Sequence, residues 1–215
     1  MLLLLLFFGA PSVHARGAEL VALIGRFDAI EELPNPCESE PRSVNEDGLE
    51  NVCISMDALF KATYTIKQVI SGNIATGTTF TFKVADHYGF PDFARFKNAL
   101  LFVQLNDGDS YLEKYQGFQV HETALGSWAS CGYPRGADTE NGELERVTFA
   151  NEIAFGSIGE LNTEGVAQEF PSPVYENRNG LVRCVKGWSI ERLVSYVTEG
   201  VLKARGETVS AGKSN

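Results

Sequence analysis

The 215-residue chain is poor in the residues that most often carry chemistry. It holds three histidines, two tryptophans, two methionines and four cysteines. No CxxC or HxH spacing occurs, so a metal site has no local support. The GxSxG, HExxH, P-loop and GxGxxG patterns are missing as well. Cations are scarce, with 18 Lys and Arg against 28 Asp and Glu and a formal net charge of −10. Sequence-independent binding to nucleic acid or anionic lipid needs clustered Lys and Arg, and this balance argues against both. No apolar run approaches the ~20 residues that cross a bilayer as a helix, so no membrane anchor is expected. These absences leave neither a metal nor a cofactor expected.

What is present suffices for a core. Hydrophobic residues make up 44% of the chain and charged ones 21%, a globular rather than a disordered composition. Part of the apolar fraction is an address. Leu2 to Phe8 form an unbroken apolar run, followed by Pro11 and by Val13-His14-Ala15, whose small residues before Arg16 fit signal-peptidase cleavage. Residues 1–15 therefore read as a secretory signal peptide, although no basic residue precedes the run. The expected location is secreted or periplasmic.

Export gives the four cysteines a meaning, because oxidising compartments favour disulfides. Cys37 and Cys53 flank a polar, acidic stretch without apolar periodicity that needs a tie to stay ordered, so they are expected to pair. Cys131 and Cys184 then form the second bridge.

Strand signals dominate the first two thirds. Glu19 to Ile30 is apolar and β-branched, with Gly25 as a candidate bulge or close backbone approach. Phe60, Ala62, Tyr64 and Ile66 alternate with polar residues, as do Phe80, Phe82 and Val84, and Ser71-Gly72-Asn73 separates the two runs. Ala99 to Leu105 is almost wholly apolar and reads as a central strand. Asn106-Asp107-Gly108-Asp109 has hairpin-turn chemistry, and Tyr111-Leu112 with Phe118 to His121 adds one or two more strands. Residues 16–135 thus read as one β-unit. From residue 136 the chain is loop-rich until Ser189. Beyond it Ile190, Leu193, Val194, Val197, Val201 and Leu202 fall at helical spacing, which predicts an amphipathic helix over 189–205 with Ser189 as its cap and Gly206 as its stop. The tail from Glu207 to Asn215 is expected to fray.

Few constellations could act. Asp86-His87 is the best acid/base pair, and His121-Glu122 is a weaker one. Asn106 to Asp109 carries oxygen ligands but lacks the alternating set and closing Glu of a calcium loop. Tyr88, Phe90, Phe93 and Phe96 beside Arg95 and Lys97 form an aromatic cluster with directing cations. Tyr88, Phe90, Phe93, Arg95 and Lys97 are therefore the candidate binding residues. Trp128 and Trp188 lie near Cys131 and Cys184 in sequence, so their rings are expected around that bridge.

The order of elements resembles the netrin-like domain. Its carriers are Ile24-Gly25-Arg26-Phe27, the strand Tyr64 to Ile70 with its Ser71-Gly72 turn, Phe80-Thr81-Phe82-Lys83-Val84, and Ala99-Leu100-Leu101-Phe102-Val103. The similarity runs from Glu19 to Cys131. It implies the OB-type barrel of tissue inhibitors of metalloproteinases and of many exported bacterial proteins: a five- to six-stranded, mainly β barrel with a C-terminal helix against it, used to bind proteins. Those inhibitors hold a protease zinc through an N-terminal cysteine. This chain departs there, since cleavage after Ala15 leaves Arg16 and the first cysteine is Cys37. The expected function is a soluble, exported, non-catalytic protein-binding module. The alternatives are a hydrolase or lytic enzyme using Asp86 and His87, and a structural component of an envelope assembly.

Overall fold

The computed structural model describes residues 19–35, 37, 43–44, 50–51, 53, 55–106, 108–151, 154–155, 170–178 and 181–210. The expected signal peptide and most of the acidic loop between Cys37 and Cys53 lie outside the described residues. Five strands close into a barrel: β1 (Glu19–Leu33), β2 (Ala58–Ser71), β3 (Thr79–Asp86), β4 (Asn98–Asn106) and β5 (Asp109–Gln119), in the order β1-β2-β3-β5-β4. Neighbouring strands are antiparallel except β3 and β5, which run parallel. The chain therefore has the predicted mainly β, OB-like barrel with a C-terminal helix, and closure leaves no open sheet edge around the core.

The two sequence textures have different causes. On β2, Phe60, Ala62, Tyr64 and Ile66 point into the barrel and are buried, while Lys61, Thr63, Thr65 and Lys67 face outward. β1 and β4 show no such alternation because both of their faces are covered. Val21, Leu23, Ala99, Leu101 and Val103 fill the interior. Leu20, Ala22, Ile24, Leu100 and Phe102 form the outer layer, against helix α1 (Ile190–Val197). The Ser189 hydroxyl caps this helix by accepting from the Arg192 amide at 3.4 Å. Ile190, Leu193 and Val197 are buried against β1 and β4. The helix widens into a π-helical turn over Thr198–Leu202 and stops at Gly206, whose φ is +76°. The expected fraying of the tail fails at its start: the Ser210 amide donates to the Leu20 carbonyl at 2.9 Å, tying residues 209–210 to β1.

Gly25 is both a bulge and a close approach. The β1–β2 register shifts between Ile24 and Gly25, and a Cβ there would lie 2.8 Å from Cδ1 of Tyr64. The missing side chain lets the Tyr64 ring lie across the barrel, where its hydroxyl donates to the Phe93 carbonyl at 3.0 Å. Burial pushes the Tyr64 phenol well above its ordinary pKa.

Both predicted disulfides are present, Cys37–Cys53 and Cys131–Cys184. The second closes a clasp between the segment after the barrel and the segment before α1. The Ser130 amide donates to the Trp188 carbonyl at 2.9 Å, and the Gly132 amide donates to the Lys186 carbonyl at 2.9 Å. The buried Ser130 hydroxyl accepts from the Trp188 amide at 3.0 Å and donates to the Gly132 carbonyl at 2.9 Å. Gly187 is required here, since a Cβ would lie 1.7 Å from the Ser130 carbonyl oxygen.

The region read as loop-rich contains short pairings. Glu145–Arg146 pairs with Lys186–Gly187, while Ala154–Phe155 and Tyr175–Arg178 flank Leu181–Cys184. Strands of two to four residues show no readable period, and the partners of the first two lie 27 to 42 residues away in sequence.

Candidate functional site

The candidate binding residues sit on the connection between β3 and β4, at one end of the barrel. β3 stops at Asp86, whose carboxylate accepts from the Tyr88 amide at 2.8 Å and so bends the chain outward. Pro91 then starts a 3₁₀ turn over Asp92–Arg95. The turn exposes two aromatics and drives a third into the core. Tyr88 is 83% exposed and Phe90 49%, whereas Phe93 is only 5% exposed.

Phe93 is therefore corrected from a binding residue to a plug. Its ring lies 6.1 Å from that of Tyr64 and 6.2 Å from that of Phe82, inside the barrel mouth. Phe96 is likewise packed partly against the interior cluster. Lys97 also leaves the group, because it lines a separate groove with Arg26 and Lys67. Arg95 remains, with its guanidinium carbon 5.8 Å from the center of the Phe90 ring.

The structure adds residues that no local pattern revealed. Met56, 71% exposed, lies beside this turn, and its carbonyl oxygen is 3.1 Å from His87 Nδ1. The Tyr88 ring stands 5.5 Å from the His87 ring and 5.8 Å from that of Tyr115. Tyr115 has a φ of +65°, rare for an aromatic residue, within an expanded bulge of β5: Leu101 pairs with Gly117 but Val103 pairs with Leu112. Neither glycine nor asparagine marks position 115, so this bulge has no sequence signature. The rim of Met56, Tyr88, Phe90 and Tyr115 is assembled from three separate segments.

Asp86 and His87 do not pair with each other. The carboxylate near the imidazole is Asp57, with Oδ1 at 3.4 Å from His87 Nδ1. Because the Met56 carbonyl can only accept, a hydrogen bond there has Nδ1 as its donor, and in the neutral ring that leaves the lone pair on Nε2. Asp57 also accepts from Lys114 Nζ at 2.7 Å, and this hydrogen bond is the main reason its carboxyl titrates below the usual range. Among the described residues no three His, Cys, Asp or Glu side chains converge as metal ligands.

His121 and Glu122 begin a short strand paired with Trp128–Ala129. The His121 ring packs edge-on against Phe149 at 5.7 Å, and burial holds its imidazole below the ordinary value of 6.5. The unfolded chain takes up a proton near pH 6.5 that the folded protein resists. This contribution is therefore intact above that pH and is lost as pH falls below it. The urea midpoint is expected to drop between pH 7.5 and pH 5.5, and His121→Gln is expected to flatten that part of the slope. An unchanged slope in the variant would assign the pH dependence elsewhere.

Trp188 is wholly buried between Tyr133, at 5.8 Å, and Tyr196, at 5.3 Å, while Trp128 reaches the surface in the groove lined by Lys97.

These features define a disulfide-linked OB-like barrel with a docked C-terminal helix and an aromatic rim. Comparison with protein-family models, with curated proteins and with solved structures found no match to this chain. Among the described residues no helix is long and apolar enough to cross a membrane.

Proposed function

We propose that this chain is an exported, non-catalytic binding module of netrin-like type, which holds a protein partner on the rim of Tyr88, Phe90 and Met56. The observation carrying this reading is the exposure of these three large apolar side chains, 83%, 49% and 71%, at one end of the barrel. Solvated rings on a hydrogen-bonded turn can bury apolar area at little cost in rotamer entropy, which is how aromatic anchors contribute to binding. The left-handed Tyr115 backbone favours the same site, since backbone strain is retained where surrounding structure enforces it and clusters at functional positions. The OB-like strand order and the docked helix support the netrin-like assignment. The two disulfides and the signal-like segment support export.

The test is site-specific photocrosslinking in the producing cell. A crosslinker at position 88 or 90 is expected to capture one discrete protein adduct, and one at exposed Thr81 is expected to capture none. In pull-downs with the mature chain, Tyr88→Ala/Phe90→Ala is expected to weaken capture of that same protein at least about tenfold. Equal capture by the double variant removes the rim from the proposal.

The contact between Asp57 and His87 supports a second reading, a hydrolase in which the Nε2 lone pair of His87 acts as general base. Hydrolysis abolished by His87→Gln while partner capture is unaffected would favour that reading over the first.

A further inference from the structure

The molecule is acidic, yet one of its grooves is not. An open groove of about 850 Å³ runs between the outer faces of β1 and β2 and the hairpin that follows the barrel. Arg26 comes from β1, Lys67 and Gln68 from β2, Lys97 from the residue before β4, Asn98 from its start, and Trp128 from the hairpin. Three cations meet there against two carboxylates, Glu122 in the lining and Asp28, which pairs with Arg26 at 2.9 Å, on a chain whose net charge is −10.

The fold partners one of these cations and leaves two without an ion pair among the described residues. Arg26 is oriented by Asp28 at 2.9 Å and lies 3.3 Å from the Thr65 hydroxyl, but the side chain remains 47% exposed. Lys67 and Lys97 are exposed and form no ion pair among the described residues. Asp28 offsets the guanidinium and lies within reach of the Lys67 charge, so the groove keeps a small positive excess, carried by its two ammonium groups, that favours an anion. The floor is not phosphate-like, however. Trp128, packed partly against the outer core layer, brings an apolar indole to the groove, and the Gln68 and Asn98 amides offer both donors and acceptors. His121 contributes an imidazole whose protonation burial disfavours.

We infer that this groove binds an acidic sugar chain, with the ring C–H face on Trp128, the hydroxyls on Gln68 and Asn98, and the carboxylate or sulfate groups on Arg26, Lys67 and Lys97. The indole, the two amides and the cations each meet one part of such a ligand. An inorganic anion uses only the cations, and a neutral sugar only the indole and amides. An acidic peptide gains little from the amides and the flat ring. The site uses none of the rim residues and stands independently of the rim's function.

Trp188 is fully buried, so of the two indoles only Trp128 can report binding directly through quenching of its fluorescence. Titration of the mature chain with oligogalacturonate, and separately with a sulfated oligosaccharide, is expected to quench the emission saturably with at least one of them. A neutral oligosaccharide of the same length is expected to bind at least about tenfold more weakly, and Lys67→Gln/Lys97→Gln to lose about tenfold or more, with the effect shrinking at high salt. Both lysines are exposed, so this variant should retain the wild-type urea midpoint. Calorimetry is expected to show weakened binding to Trp128→Phe, measured where the variant is folded, since this ring also packs partly against the outer core layer. Four results would each overturn the inference: no binding of either acidic sugar, equal binding of the neutral sugar, equal affinity of the double variant, or tighter binding of inorganic sulfate or poly-glutamate than of the acidic sugars.

Discussion

Replacing Trp188 by alanine is expected to lower stability by about 3–5 kcal/mol, the range for emptying a large aromatic site in a packed core. Trp188 is 0% exposed and stands immediately before the Ser189 cap, where the chain turns into α1. Tyr133 and Tyr196 pack edge-on against it, and the Arg192 guanidinium lies 4.8 Å from its ring center. Its indole donates to the Glu143 carbonyl at 3.3 Å, and its backbone amide donates to Ser130 Oγ at 3.0 Å. Truncation leaves a cavity between helix and barrel and strips the Glu143 carbonyl of a donor. Because β1 and β4 are shared by the interior and outer layers, the loss should appear as one cooperative transition with a lower urea midpoint. Trp188→Phe should cost clearly less. A Trp188→Ala protein with the wild-type midpoint would show that the helix contributes little to the fold.

The second large effect is expected from the bridge between Cys131 and Cys184. It spans 53 residues, against 16 for Cys37–Cys53. In the chain-entropy account, closing the longer loop stabilises by about 4 kcal/mol and the shorter by about 3 kcal/mol. The longer bridge also holds the Ser130–Gly132 clasp in register with Lys186–Trp188, and so sets how α1 approaches the barrel. Cys131→Ser/Cys184→Ser should therefore be the more damaging pair, with a larger fall in urea midpoint than Cys37→Ser/Cys53→Ser. Equal losses, or the reverse order, would mean that the clasp holds without its disulfide.

The barrel was largely legible because its signals are local. Alternation at Phe60 to Ile66 and the unbroken apolar runs of β1 and β4 follow from which faces are covered. Ser189 and Gly206 mark the helix ends by their own backbone chemistry. The rim was legible only in part. Tyr88 and Phe90 stand out as aromatics beside turn residues, but the same cluster contains Phe93, whose ring points the other way. The 3₁₀ turn after Pro91 sends successive rings in different directions, and whether a ring caps the barrel or faces water depends on the space left by Gly117, where a Cβ would lie 2.8 Å from that of Phe93, and on the Tyr64 ring beside it. Asp57, Lys114 and Tyr115 carry no local mark at all, since their role comes from a bulge of β5 meeting the end of the loop before β2.

Composition, period and cysteine spacing by themselves determined a β-rich chain with a capped C-terminal helix, two disulfides and an acidic charge balance. Those properties are set by residues within one or two turns or pleats of each other, or by counts. Tertiary structure alone decided that Phe93 is core, that His87 faces Asp57 rather than Asp86, and that Lys97 joins Arg26, Lys67 and Trp128 instead of Tyr88. Each of these depends on barrel closure and strand register, which bring together side chains tens of residues apart and which a one-residue shift would redistribute between the two faces of every strand.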